Sequence, residues 1–124
     1  VPAKSPLADF VDDLQAGGRL TFTRDEAMSA LGVSAGGLKQ AALRLAKRGR
    51  LVSPRRGFYV IVPLEYRAEG VPPLDRWLPE LLRFHGARQL GVDEDGGTVL
   101  VRVDRRLRPL LVGGIAIRFV ARRR

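Results

Sequence analysis

Four residues between two helical patterns, Leu31-Gly32-Val33-Ser34, constrain this chain more than any other stretch. Gly32 ends the first helix, because glycine adopts a positive φ without steric cost. Ser34 opens the next as its N-cap, the hydroxyl accepting from an otherwise orphan backbone N–H. Val33, apolar, plugs the angle between the two helices. The helix before the turn starts with a capping box, Thr23 to Glu26, and is expected to bury Ala27, Met28 and Leu31. Two helices joined by so short a glycine turn form a helix-turn-helix.

The second helix is expected over about Ala35 to Arg48, with Gly49 as its stop. At about 100° per residue, Leu38, Ala41, Ala42 and Leu45 share one face. Gly36, Gln40, Leu43 and Lys47 lie opposite, with Lys39 and Arg44 on the flanks. Arg50 to Ser53 and Phe58 to Val62 are strand-like, and Pro54-Arg55-Arg56-Gly57 reads as the turn of a hairpin with two arginines at its tip. Upstream, Ser5-Pro6 opens a helix as N-cap and first residue, and Leu7, Phe10, Val11 and Leu14 form its apolar stripe. Leu20-Thr21-Phe22 is expected to be a short strand pairing with the hairpin. The order of helix, strand, helix, turn, helix and hairpin is that of a winged helix.

The positive charge is not spread evenly. Lys39, Arg44, Lys47, Arg48, Arg50, Arg55 and Arg56 lie between Lys39 and Arg56, with no acid among them. Residues 1–38 hold the basic Lys4, Arg19 and Arg24 against the acidic Asp9, Asp12, Asp13, Asp25 and Glu26. With a net charge of +9, the chain favours a polyanionic partner, and it presents that charge on the second helix and the hairpin.

After Pro63 the texture changes. Residues 63–73 read as a connector with one helical turn. Leu74, Trp77, Leu78, Leu81 and Leu82 give another helical stripe, interrupted by Pro79, where the helix is expected to restart, and stopped at Gly86. Asp93 to Gly97 reads as a turn and Thr98 to Val103 as a strand. Leu110-Leu111-Val112 and Ile115 to Val120 flank Gly113-Gly114, a hairpin signal. Arg122-Arg123-Arg124 is a basic tail. The expected class is α+β: a winged helix-turn-helix over 1–63, then a small α+β region over 64–124 with antiparallel strands.

The means for catalysis are missing. With no cysteine, disulfides and cysteine zinc sites are excluded, and His85 is the one histidine. The paired glycines match no phosphate-loop spacing. No catalytic residue, metal or cofactor is expected, and no apolar run approaches the roughly 20 residues of a membrane span. A cytoplasmic location is expected.

A helix of this kind enters the major groove of duplex DNA, where base edges carry a donor and acceptor code. Gln40 is the candidate base reader, its amide matching adenine. Lys39, Arg44 and Lys47 reach phosphate or guanine. Leu43 is a thymine-methyl contact, simply an exposed leucine, or a contact to the C-terminal half. Ser34, Gly36 and Gly37 open the helix; the glycines either let the backbone approach a phosphate or are simply tolerated near a helix end. Arg55 and Arg56 fit the minor groove or the flanking backbone. The alternative is a module that uses the same basic face on an acidic protein or on RNA.

The stretch L-G-V-S-A-G-G-L-K-Q-A-A-L-R-L-A-K-R-G-R-L, followed by P-R-R-G-F-Y-V-I-V-P-L-E-Y-R, resembles the AbiEi antitoxins of bacterial abortive-infection toxin–antitoxin systems. It runs from Leu31 to Arg67. Weaker similarity continues through the 74–86 helix and over Arg105 to Arg118. The resemblance implies an N-terminal winged helix that binds inverted repeats in the promoter of its own operon and represses it. It also implies a C-terminal region that counters a nucleotidyltransferase-like toxin without a stable complex. The sequence departs from the family pattern at Gly36 and Gly37, at Pro79, and in a short segment between Gly86 and Thr98.

Overall fold

The computed structural model describes residues 6–121; the expected Ser5 cap and the basic tail 122–124 lie outside them. The chain divides into two compact units, Val1–Pro72 and Pro73–Arg124.

In the first unit, α1 (Pro6–Ala16) buries Leu7, Ala8 and Val11. Strand β1 (Thr21–Thr23) leads into α2 (Arg24–Leu31) and α3 (Ala35–Lys47). Strands β2 (Leu51–Arg55) and β3 (Phe58–Ile61) form the hairpin. The sheet order is β1-β3-β2, all antiparallel, with Phe22 opposite Tyr59. The core joins Leu7 and Val11 of α1 with Phe22 of β1, Ala27 of α2, Leu38 and Leu45 of α3, and Ile61 of β3. Phe10 meets Phe22 edge-on at 5.4 Å between ring centroids, and Tyr59 stacks on Phe22 at 5.1 Å.

The hairpin departs from its sequence reading in one respect. Strand β2 runs through Pro54 to Arg55, with an irregularity in register between Val52 and Arg55. Pro54 is tolerated because β2 is an edge strand and the bulge removes the need for its missing N–H. The turn is thereby shortened to Arg56-Gly57, with Gly57 at φ 81°. The Ser53 hydroxyl fixes it, its single proton shared between the carbonyls of Arg55 (2.7 Å) and Phe58 (2.9 Å).

Helix α2 shows the full capping box. Thr23 N–H donates to Glu26 Oε1 and Glu26 N–H to Thr23 Oγ1, both at 3.1 Å. Arg19 adds a two-pronged ion pair to the same carboxylate at 2.7 and 2.5 Å. Burial pushes the Glu26 carboxyl up, but the Arg19 guanidinium and the Thr23 hydrogen bonds outweigh it and hold the group below its ordinary 4.5. A carboxyl lowered by folding contributes stability above its unfolded pKa and loses it as pH falls through the folded value. Glu26→Gln keeps the box, since glutamine also serves there, but discards the ion pair. It should cost about 0.2–1 kcal/mol at neutral pH, and urea titrations of variant and wild type should converge below 4.5. A gap independent of pH would mean that the charge of Glu26 contributes nothing.

In the second unit a short 3₁₀ turn (Leu74–Arg76) precedes α4 (Leu78–Phe84), which restarts with Pro79 in its first turn. Leu78, Leu81 and Leu82 are its buried residues. Strands β4 (Gln89–Asp95), β5 (Thr98–Val103), β6 (Leu110–Val112) and β7 (Ile115–Ala121) form one sheet in the order β4-β5-β7-β6. Two pairings are hairpins, each closed by two glycines with positive φ, Gly96-Gly97 and Gly113-Gly114, as a tight primed turn requires. The expected turn over Asp93 to Gly97 is therefore only its last two residues; Asp93, Glu94 and Asp95 belong to β4 and pair with Leu100, Val99 and Thr98. The central pairing, β5 with β7, is parallel, because the two hairpins meet side by side through strands that run the same way.

Candidate nucleic-acid interface

Helix α3 is held at its start by the residues its sequence names. Gly32 closes α2 in the left-handed conformation (φ 63°, ψ 32°), its N–H reaching Met28 O at 2.9 Å. Ser34 Oγ accepts from Gly37 N–H at 3.1 Å and so starts α3. Leu38, Ala42 and Leu45 are buried and fix the rotation of the helix about its axis. That rotation leaves Ser34, Gly36, Gly37, Lys39, Gln40, Leu43, Arg44 and Lys47 exposed together. Leu43, with 48% of its surface in solvent, is the one large apolar side chain among them.

The two glycines of the first turn are not equivalent. A methyl group at Gly36 would meet nothing within 4 Å, so that position is open to whatever approaches the helix. At Gly37 it would press on Ser34 Oγ at 3.3 Å and disturb the cap. Gly37 thus has a local structural use, whereas nothing inside the protein requires glycine at position 36.

At the hairpin, Arg56 stands exposed in the turn, while Arg55 is the last residue of β2 and only half-exposed. Arg50, counted among the basic residues by sequence, is turned inward: its guanidinium pairs with Asp12 of α1 and ties the start of the hairpin to the first helix. Its charge is thereby paired at a half-buried position.

Between α3 and the hairpin lies a groove of about 500 Å³. Gly36, Lys39 and Leu43 line it from the helix, Arg56 and Gly57 from the turn. Arg24, the first residue of α2, lines it too, and sequence reasoning passed it over. Its backbone N–H donates to Gly57 O at 2.8 Å, so the start of α2 is fastened to the hairpin turn. A signal existed: once Leu20 to Phe22 is read as a strand pairing with the hairpin, the residues that follow, Thr23 and Arg24, must arrive beside the turn.

No group of three His, Cys, Asp or Glu among the described residues could hold a metal ion, and no helix among them is long and apolar enough to cross a membrane. The carbonyl of His85 accepts from Arg105 at 2.8 Å, and its ring meets Phe84 edge-on at 5.4 Å.

No curated protein and no solved structure matches the chain. A family of transcriptional regulators does, over a span that starts within α1 and takes in the capping box, the glycine turn, α3 and the hairpin. Residues 9–62 match the family described as transcriptional regulator, AbiEi antitoxin, the same family that the motifs from Leu31 onward resemble.

Proposed function

We propose that the first unit is a sequence-specific DNA-binding module and that the chain represses a toxin–antitoxin operon by binding repeats in its promoter. The observation that carries this reading is the shared exposure of one helix face and one hairpin turn, both cationic, on a unit whose acids all lie outside residues 39–56. Helix α3 enters the major groove; Gln40 reads a base edge, and Lys39, Arg44 and Lys47 serve phosphate or guanine. Ser34 and Gly36 bring the helix N-terminus close to the duplex, with Gly37 supporting the cap. Arg55 and Arg56 of the hairpin meet the flanking backbone or the minor groove. The antitoxin role falls to residues 73–124, on the strength of the resemblance over Arg105 to Arg118, and its object is a nucleotidyltransferase-like toxin that need not form a stable complex. No residue is assigned to catalysis.

A gel-shift titration of the full chain against the region upstream of its own operon tests the reading. Saturable binding that outcompetes scrambled duplex is the expected result, and equal binding to both would remove sequence specificity from it. Replacing Arg55 and Arg56 together by alanine should weaken binding to every duplex alike. It should flatten the slope of log affinity against log salt by about 1–2, since each lost phosphate contact removes about 0.9. An unchanged slope would mean that the hairpin faces away from the DNA.

A further inference from the structure

Resting on that reading, we propose that the groove between α3 and the hairpin holds one sugar–phosphate strand of the duplex, with Arg24 as an additional phosphate-binding residue. Three cations from three separate elements converge on this groove: Arg24 from α2, Lys39 from α3 and Arg56 from the hairpin turn. No carboxylate among the described residues lines it. Asp25, the acid beside Arg24, stands 3.8 Å away with 90% of its side chain exposed, a pair too loose and too solvated to hold the guanidinium back from a phosphate. The hydrogen bond from Arg24 N–H to Gly57 O sets the position of the backbone that carries this cation, leaving only the side chain to be ordered on binding.

The floor of the groove has the opposite character. Ala42, Leu43 and Ala46 of α3 and Leu51 and Val52 of β2 line it with apolar surface, and Ser53 and Tyr59 add two hydroxyls. The two alanines are what leave the space open. A helix in the major groove and a hairpin at the minor groove must straddle the backbone that separates the two. That backbone carries anionic phosphates and an apolar sugar face, which matches a cationic rim over an apolar floor. The groove therefore takes the sugar–phosphate strand of a duplex.

The experiment uses the full chain and a duplex that it selects from a random pool. Methylphosphonates neutralise one phosphate at a time. At one or two adjacent phosphates, neutralisation should weaken wild-type binding severalfold. Arg24→Ala should weaken binding to the unmodified duplex by a similar factor, flatten the salt slope by about 0.9, and lose no more when those phosphates are neutralised. Arg24→Lys should recover most of the affinity, which separates the charge from any effect on folding. If the effects of Arg24→Ala and of neutralisation multiply at every position, Arg24 holds no particular phosphate and the clamp is overturned while DNA binding stands. If the pool yields no bound duplex, both the clamp and the DNA-binding reading fall together.

Discussion

Gln40→Ala should weaken binding to a cognate duplex by about 1–3 kcal/mol and leave binding to random duplex nearly unchanged. The side chain is exposed, one helical turn past Gly36, where nothing in the protein stands within 4 Å of an added methyl group. The helix can therefore come close enough for an amide to reach a base edge. That amide donates to adenine N7 and accepts from adenine N6, a pattern no phosphate offers. Lys39 lies on the flank that lines the groove. Its removal should weaken cognate and random duplex about equally, because non-specific affinity is mostly electrostatic. Titrations of both variants on both duplexes, at two salt concentrations, separate the roles. A Gln40→Ala variant that weakens both duplexes alike, or neither, would remove Gln40 as the base reader.

Phe22→Ala should unfold much of the first unit. The ring is 1% exposed and sits between Phe10 of α1 and Tyr59 of β3. Truncating a buried phenylalanine costs about 3–5 kcal/mol. The loss falls on the joint where α1 meets the sheet, since Phe22 is the middle residue of a three-residue strand. A unit of this size commands on the order of 5 kcal/mol in total. The helical melt followed by circular dichroism should therefore move down by more than about 10 °C. DNA binding should fall at temperatures where the unit no longer folds and recover on cooling. A melt within about 2 °C of wild type would mean that the ring is not part of the core.

Much of the first unit was legible because its signals are local. A capping box needs only Thr23 and Glu26, a left-handed cap needs only Gly32, and the outward face of α3 follows from the spacing of Leu38, Ala42 and Leu45. Each is settled within one or two turns of chain, so the helix boundaries and the exposed set Gly36, Lys39, Gln40, Leu43, Arg44 and Lys47 could be named in advance. The restart of α4 at Pro79 is of the same kind, since a proline ring excludes itself from a helix interior but fits its first turn.

Tertiary structure alone decided what depends on partners distant in sequence. Strand β4 carries little apolar alternation and is almost wholly exposed; it is a strand because β5 offers it a ladder. The parallel pairing of β5 with β7 joins two hairpins whose turns specify only their own closure. Arg50 and Arg24 are both basic residues near the hairpin, and their charge alone does not tell their fates apart. The first is drawn inward by Asp12, 38 residues earlier in the chain, and the second is set at the groove by a bond to Gly57. Local sequence determines which way a side chain leaves its helix or strand, because backbone geometry fixes that within a few residues. What the side chain then meets depends on chain closure over tens of residues, which only the folded core imposes.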